Sequence, residues 1–274
     1  MPAQAIPELL DIPSFKHLTL YTGNVMRTSV AGRSKALSKK SNTELITAID
    51  DTLYASLDRD EPSFRYHEQE SLLEVPDLRS RSRILPEDRN DVEVTAKLFY
   101  LGQQQNNNNV ASYIRSGVQH LQKVLGVDAI DTFIVSFGGR SESITPAWQQ
   151  LEVLHQRNHT LGKLGVADFS QEQLESILSN PAVTVKPSIN QINVGQCCNM
   201  PSAMIELAKQ HNIELLHNGD RADILDIESL SALLRKHNVH ATVAPQFVIK
   251  YHVFVKCRSV VSDKGYIVVG DTLA

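Results

Sequence analysis

The sequence predicts an α/β fold, a (β/α)8 TIM-type barrel with an irregular N-terminal third and a β-rich C-terminal tail. From Asp91 onward at least five strand–helix units follow in series, and parallel strands must be joined by a crossover, usually a helix. Ile130 to Phe137 is an apolar run of strand length, as expected for a strand covered on both faces. Neither the dinucleotide fingerprint of an open sheet, G-x-G-x-x-G, nor the phosphate loop G-x-x-x-x-G-K occurs, which tilts the choice from an open doubly wound sheet toward a barrel. A chain of 274 residues suits one such domain, spanning residues 1–274.

Each element has its own signal. His17 to Tyr21 alternates, is rich in β-formers and ends at the turn Thr22-Gly23-Asn24, a first strand. Arg27 to Lys40 is basic with little apolar content and reads as a loop. Ser41-x-x-Glu44 is a capping-box pattern, and Ile46, Ile49, Leu53 and Leu57 follow at helical spacing. Asp58 to Asn90 is charged, holds three prolines and shows no sustained period, so it reads as a mobile surface excursion. Val92 to Tyr100 is a strand, followed by a Gln/Asn tract, Gln103 to Asn109, so that residues 102–109 read as a second surface loop.

The regular part continues with a helix carrying Val110, Tyr113, Ile114, Leu121, Val124 and Leu125, capped by Asn109 and stopped by Gly126. Thr145-Pro146 opens another helix, with Pro at its first position and Trp148, Leu151 and Leu154 as its stripe. Leu161 to Val166 is a short strand, and Ser170-x-x-Gln173 is a second capping box, before Leu174, Ile177 and Leu178. Ser188 to Val194 and Ile213 to Leu216 are strands; Pro201 begins a helix with Met204, Leu207 and Ala208; Ile227, Leu230 and Leu234 mark one more. The tail adds Val253-Phe254-Val255 and Tyr266-Ile267-Val268-Val269.

Composition narrows the class of function. The chain is 42% hydrophobic and 21% charged, with a net charge of -4, too mild for a nucleic-acid binder. It has no apolar stretch long enough for a membrane span, and Met1 to Ser14 lacks the basic start and apolar core of a secretory signal, which predicts a cytoplasmic protein. Three cysteines, Cys197, Cys198 and Cys257, neither close a disulfide framework nor match zinc spacing, and ten histidines show no H-E-x-x-H. No metal site is expected.

Strand ends converge on the mouth of a parallel barrel, so they are the places to look for a site. Lys97 sits near the end of its strand among apolar neighbours, where an unpaired charge is costly; it either tunes a neighbouring acid or pairs with a carboxylate. Ser136 ends the next strand, with no general base and no G-x-S-x-G elbow around it. Asp168 precedes the helix at Ser170, a position the helix dipole favours by itself. Asn190 and Gln191 lie in an apolar strand and must be satisfied across the barrel or at its mouth.

The run Leu161-Gly-Lys-Leu-Gly-Val-Ala-Asp-Phe169, with Trp148, Leu151 and Glu152 before it and Gln173-Leu174 after it, resembles the aldo-keto reductases. So do Lys186-Pro187 with Asn190-Gln191-Ile192, and Ile130-Asp-Thr-Phe-Ile-Val135. A closer resemblance, to the family of glutamate–cysteine ligase regulatory subunits, rests on Thr22-Gly23-Asn24, Thr95-Ala-Lys-Leu-Phe99, Cys197-Cys198-x-Met200-Pro201, Ala208-Lys209-Gln210 and Lys264-Gly-Tyr-Ile267. It covers about His17 to Val268.

The reductase resemblance implies a catalytic Tyr, a Lys and an Asp that tune it, a His that orients the carbonyl, and NADPH. Lys97 matches the lysine, but Ser136 stands where the histidine should be. No D-x-A-x-x-Y-G follows the first helix; Glu61 and Tyr66 have the separation without the surroundings. Ala167-Asp168 replaces the Ser-Asn pair that holds nicotinamide. Lys97 and Ser136 are therefore expected to be vestiges of the reductase centre, and Asp168, Asn190 and Gln191 vestiges of its cofactor site. The closer resemblance implies a non-catalytic subunit that docks on the ligase's catalytic subunit, forming a heterodimer that promotes the first step of glutathione synthesis. The expected contacts are Cys197, Cys198, Met200 and Cys257. The remaining alternatives are an NADPH-dependent reductase and an NADPH-sensing regulator.

Overall fold

The computed structural model describes residues 12–28, 41–78, 84–102, 110–140, 143–157, 159–193 and 201–273. The elements follow as β1 (His17–Tyr21), α1 (Val25–Thr28), α2 (Ser41–Leu57), β2 (Arg65–His67), β3 (Leu72–Val75), β4 (Val92–Tyr100), α3 (Val110–Leu125), β5 (Ile130–Ser136) and α4 (Ile144–Glu152). Then come β6 (Leu161–Ala167), α5 (Gln171–Ser179), β7 (Ile189–Asn193), α6 (Ser202–Gln210), β8 (Glu214–Asn218), α7 (Ile227–Lys236), β9 (Val243–Val255) and β10 (Val260–Thr272). No helix of the described residues is long and apolar enough to cross a membrane.

Ten strands form one mixed sheet in the order β2-β3-β1-β10-β9-β4-β5-β6-β7-β8. From β4 to β8 all neighbours are parallel, and a helix lies between each pair in sequence. These crossovers are the ones the sequence predicts. The local signals hold too: Ser170 Oγ accepts from the Gln173 amide at 3.3 Å while Gln173 Oε1 accepts from the Ser170 amide at 3.0 Å. Gly126 ends α3 at φ 73°, a left-handed turn where a side chain would be strained.

The other half differs from a ring of parallel strands. β9 and β10 form a long antiparallel hairpin that enters the middle of the sheet, β10 against β1 and β9 against β4, both antiparallel. The β-rich tail is thus the centre of the sheet. Among the described residues the ladders run from β2 at one edge to β8 at the other.

Residues 58–78 and 84–90 are also more ordered than the composition of the segment suggests. β3 pairs parallel with β1, and Leu73 and Val75 are fully buried. Four residues are too few to display a period, and the run is broken by Glu74, itself buried and held by Lys123. The Gln/Asn tract at 103–109 and most of the basic segment before α2 lie outside the described residues.

The two faces of the sheet are covered over different halves. One face packs under α3 to α6: Leu98, Phe133, Val135, Leu164 and Ile249 meet Ile114, Trp148, Leu174 and Met204. Gly117 lets α3 approach β9, since a Cβ there would lie 2.7 Å from Ile249 Cδ1. The other face packs under α2 and α7, where Leu20, Val75, Phe99, Val248 and Val268 meet Leu45, Ile49, Leu230 and Leu234. His237 ties these two helices, with Nδ1 2.6 Å from Asp58 and Nε2 2.8 Å from Asp50. On that second face, a small cluster of Ile134, Ala167, Ile189 and Leu216 from β5 to β8 includes no helix residue, yet Ile134 and Ile189 are buried.

Candidate functional site

That helix-free stretch encloses the site. Strand pairing sets Lys97 opposite Ile134 on one side and Lys250 on the other, and Lys250 opposite Tyr266. Alternate residues share a face, so Lys97, Lys250, Tyr266, Ser136 and Gln191 all project from the same side as the Ile134 cluster. β8 lies four strands from β4, roughly 19 Å along a flat sheet. Yet Asp220, two residues beyond β8, reaches both lysines: 2.7 Å to Lys250 Nζ and 3.6 Å to Lys97 Nζ. The sheet must therefore curl, and an ion cluster joins its far strand to its centre. Gly165, between Ile134 and Ile189, permits the close packing inside the curl; a Cβ there would lie 2.9 Å from Ile189 Cβ.

The loop after β8 is locked by its own bonds. Asp220 N donates to Asn218 Oδ1 at 2.8 Å, and Asn193 Nδ2 donates to the Asp220 carbonyl at 2.7 Å. A second charged group flanks the first: Glu44 of α2 accepts from the Tyr266 hydroxyl at 2.6 Å and pairs with Lys264. Burial alone pushes the Glu44 carboxyl up, but the bonds from Lys264 and Tyr266 outweigh it, and the group ends below its usual value. Burial pushes Lys97 below the ordinary lysine value, opposed by Asp220 and Asp168 and reinforced by Lys250. Burial, with Lys250 and Lys264 nearby, brings His252 down to about 4, so its imidazole is neutral near pH 7.

The residues singled out from sequence separate into groups. Lys97 and Ser136 lie on the curled face; among the described residues Lys97 Nζ has its ion pair with Asp220 but no hydrogen bond, and Ser136 Oγ and the buried Gln191 Oε1 on the same face have no hydrogen-bond partner. Asn190 points to the helix-covered side, where its amide bonds both the Phe169 N–H and the Phe169 carbonyl and fixes the β6–α5 loop. Asp168 is exposed at φ 59° and accepts from the Asn193 amide at 2.7 Å. Tyr66 is far from the lysines in role, donating to the Ser14 carbonyl. Cys257 is exposed in the turn between β9 and β10; Cys197, Cys198 and Met200 lie outside the described residues.

Sequence reading missed Lys250, Asp220, Glu44 and Tyr266. Lys250 carried the same signal as Lys97, a cation inside the apolar run Val248-Ile249-Lys250-Tyr251, but it went unread because the tail was not recognised as a long strand. Asp220 sits in a loop, where nothing in one sequence marks a partner. A separate cleft of about 620 Å³ opens at the carboxyl ends of β4 and β5, lined by Tyr100, Arg140, Asp223, Asp226 and Pro245 among others. Arg140 lies over the Tyr100 ring, 4.9 Å from its centroid, and donates to the Tyr100 carbonyl.

The alternation of strands and helices defines an α/β protein, and its sequence is similar to aldo-keto reductases over part of its length. Over 201 residues, 61% of each chain, it is 23% identical to the mouse protein named aldo-keto reductase family 1 member D1. A much fuller match is to the mouse protein named glutamate–cysteine ligase regulatory subunit, 31% identical over 260 residues and 91% of each chain. The chain belongs to the family of glutamate–cysteine ligase regulatory subunits. No family model matches it. Among solved structures, an aldo/keto reductase from Brucella melitensis aligns over 46% of this chain and 48% of its own, at 18% identity and a TM-score of 0.34.

Proposed function

We propose that this chain is a non-catalytic subunit that binds the catalytic subunit of glutamate–cysteine ligase and raises its activity in the first step of glutathione synthesis. The full-length likeness to proteins bearing the regulatory-subunit name supports this reading most strongly. The chemistry of the curled face supports it too. A reductase needs a tyrosine free to give its proton to a carbonyl, whereas the Tyr266 hydroxyl is committed to Glu44. Lys97 and Ser136 then persist as remnants of a reductase centre, on one domain derived from a (β/α)8 barrel. Activation requires only that the chain bind one conformation of the catalytic subunit better than another. A coupling of about 1–3 kcal/mol changes affinity roughly 5–150-fold. We assign the docking contacts to the segment of Cys197, Cys198 and Met200 and to the turn of Cys257, in a cytoplasmic heterodimer.

Co-purification with a catalytic subunit, followed by ligase kinetics with and without this chain, tests the proposal. Stoichiometric association with a higher kcat/KM is expected; kinetics indifferent to the chain would refute it. A second reading, an NADPH-dependent reductase or NADPH sensor, is favoured by one observation: a tyrosine, two lysines, an aspartate and a histidine gather on one face. Aldehyde-dependent NADPH consumption that disappears in Lys97→Met would establish the reductase. NADPH binding without turnover, coupled to ligase activation, would establish the sensor.

A further inference from the structure

We propose that the cleft at the carboxyl ends of β4 and β5 binds a small zwitterion, an aliphatic α-amino acid or dipeptide, through Arg140 and Glu228. Its volume of about 620 Å³ falls within the range of small-molecule sites, ~300–1,000 Å³. The lining comes from the end of β4, the turn after β5, the start of β9, and the loop before α7 with the first turn of that helix. Arg140 is fixed in place there. Its amide donates to the Phe137 carbonyl at 3.1 Å, closing a turn whose Gly138 and Gly139 sit at φ 57° and 82°. The guanidinium lies over the Tyr100 ring, and its Nη1 donates to the Tyr100 carbonyl at 3.1 Å. Gly138 leaves it room, since a Cβ there would lie 3.1 Å from Nη1. A guanidinium has five N–H donors, so most of the fork stays available, and a group already held loses little freedom on binding. Among the described residues Arg140 pairs with no carboxylate.

The charges of the lining select the ligand. Asp223, Asp226 and Glu228 share the cleft with Arg140, but the two aspartates are committed. Arg221 holds both oxygens of Asp223, at 2.9 and 2.6 Å. The Ser229 amide and hydroxyl hold those of Asp226, at 2.7 and 2.8 Å. Glu228 is exposed in the first turn of α7, and its carboxylate has no hydrogen bond or ion pair among the described residues. A purely anionic ligand at Arg140 would share the cleft with these carboxylates, and a purely cationic one at Glu228 would share it with Arg140. Like charges brought together in a concave, partly desolvated space repel. A molecule with one carboxylate and one ammonium answers both groups: the carboxylate meets the guanidinium fork, and the ammonium donates to Glu228. Leu101, Leu225, Ile227, Ala244 and Pro245 supply an apolar lining, which suits an aliphatic body between and beside the two charges.

The test uses the isolated full chain, with L-leucine and L-leucyl-L-leucine as probes, in calorimetric titration or ligand-observed NMR near neutral pH. Saturable binding of at least one probe is expected, about tenfold tighter than that of its N-acetylated form, which lacks the ammonium, or of its amide, which lacks the carboxylate. Arg140→Gln should weaken the zwitterion about tenfold and leave the amide unchanged. Glu228→Gln should weaken the zwitterion several-fold and leave the N-acetylated form unchanged. Glu228 is exposed, so its variant remains informative if Arg140→Gln disturbs the turn. Saturable binding of neither probe overturns the proposal. Binding indifferent to both substitutions places the ligand elsewhere and overturns it equally. An N-acetylated or amidated form that binds as tightly as the parent overturns the zwitterion assignment. Since no ligase is present, none of these outcomes bears on whether the chain docks to one.

Discussion

The two faces of the sheet around β4 and β5 answer to different rules. On the side of α3 and α4, the residues that β4 gives to the core are all hydrophobic: Val92, Val94, Ala96, Leu98 and Tyr100. On the opposite face stand Lys97, between Ala96 and Leu98 in β4, and Ser136 of β5, both buried as well. The difference lies in what covers each side. A helix presents a continuous apolar stripe, and a polar strand residue against it would have no partner. The curled face is covered by its own strands and by the loop carrying Asp220, whose polar groups can meet polar residues. Burial therefore means dry packing on one side and electrostatic balance on the other.

Paired substitutions put the largest strain on that contrast. Trp148 is fully buried and its Nε1 donates to the Val185 carbonyl at 2.7 Å; Trp148→Ala should cost about 3–5 kcal/mol through loss of packing. Asp220→Ala should cost about as much for another reason, because two buried ammonium groups lose their counter-charge. The distinction emerges on replacing the whole group. Lys97→Met, Asp220→Leu and Lys250→Met together should bring stability back to the starting value or above it, by about 1–4 kcal/mol. No substitution around Trp148 should restore what its removal loses. Denaturant unfolding of the single and combined variants measures each value; a triple variant less stable than Asp220→Ala alone would end the distinction.

Acidification addresses the same contrast through one histidine on each side. Burial, then Lys123, brings His120 of α3 down to about 4, with the Tyr21 hydroxyl 2.8 Å from its Nδ1. On the curled face His252 is brought to about 4 by burial and two lysines. Both imidazoles are neutral when folded, while the unfolded chain begins to bind protons near pH 6.5. The unfolded state thus holds more protons as pH falls, and stability should be full above about 6.5 and decline toward about 4. Each histidine should contribute on the order of 3 kcal/mol across that window. His120→Gln and His252→Gln should each remove about half of the slope in unfolding free energy against pH. Glu44 acts lower down: its folded value is depressed, so its contribution is present above the ordinary carboxylate range and lost only as pH falls through it. A slope unchanged by both glutamine variants would show that other groups set it.

The same division decides what was legible in the sequence. The stripes of α3 and α4, the capping box at Ser170 and the strands from β4 to β8 were all readable, since each repeats or terminates within a few residues. β3 was not, because four residues with a buried glutamate carry no period. The central hairpin was recognised as β-rich, but not as the partner of β1 and β4: pairing between Val92 and Val255 is set by tertiary packing, which no local window contains. At the site, Lys97 was found by its oddity in an apolar strand. Its relation to Lys250 and Asp220 depends on the curl of the sheet, and so stayed invisible.

The smallest expected effect compares a helix start that the sequence announces with one that it half conceals. Ser170 caps α5 with both bonds of the box. Asp226 caps α7, its Oδ1 accepting from the Ser229 amide at 2.7 Å, without a Glu or Gln to complete the pattern. Ser170→Ala and Asp226→Ala should each cost about 1 kcal/mol. Asp226 has the added advantage of its charge beside the helix N-terminus, worth roughly 0.3–1 kcal/mol and reduced by salt. Raising the salt concentration should therefore shrink the loss in Asp226→Ala and leave that in Ser170→Ala unchanged. Because α5 and α7 cover opposite faces of the sheet, the double variant should lose the sum of the two within about 0.5 kcal/mol. A larger discrepancy in unfolding experiments would mean that the two faces do not respond independently, and that the curl couples them.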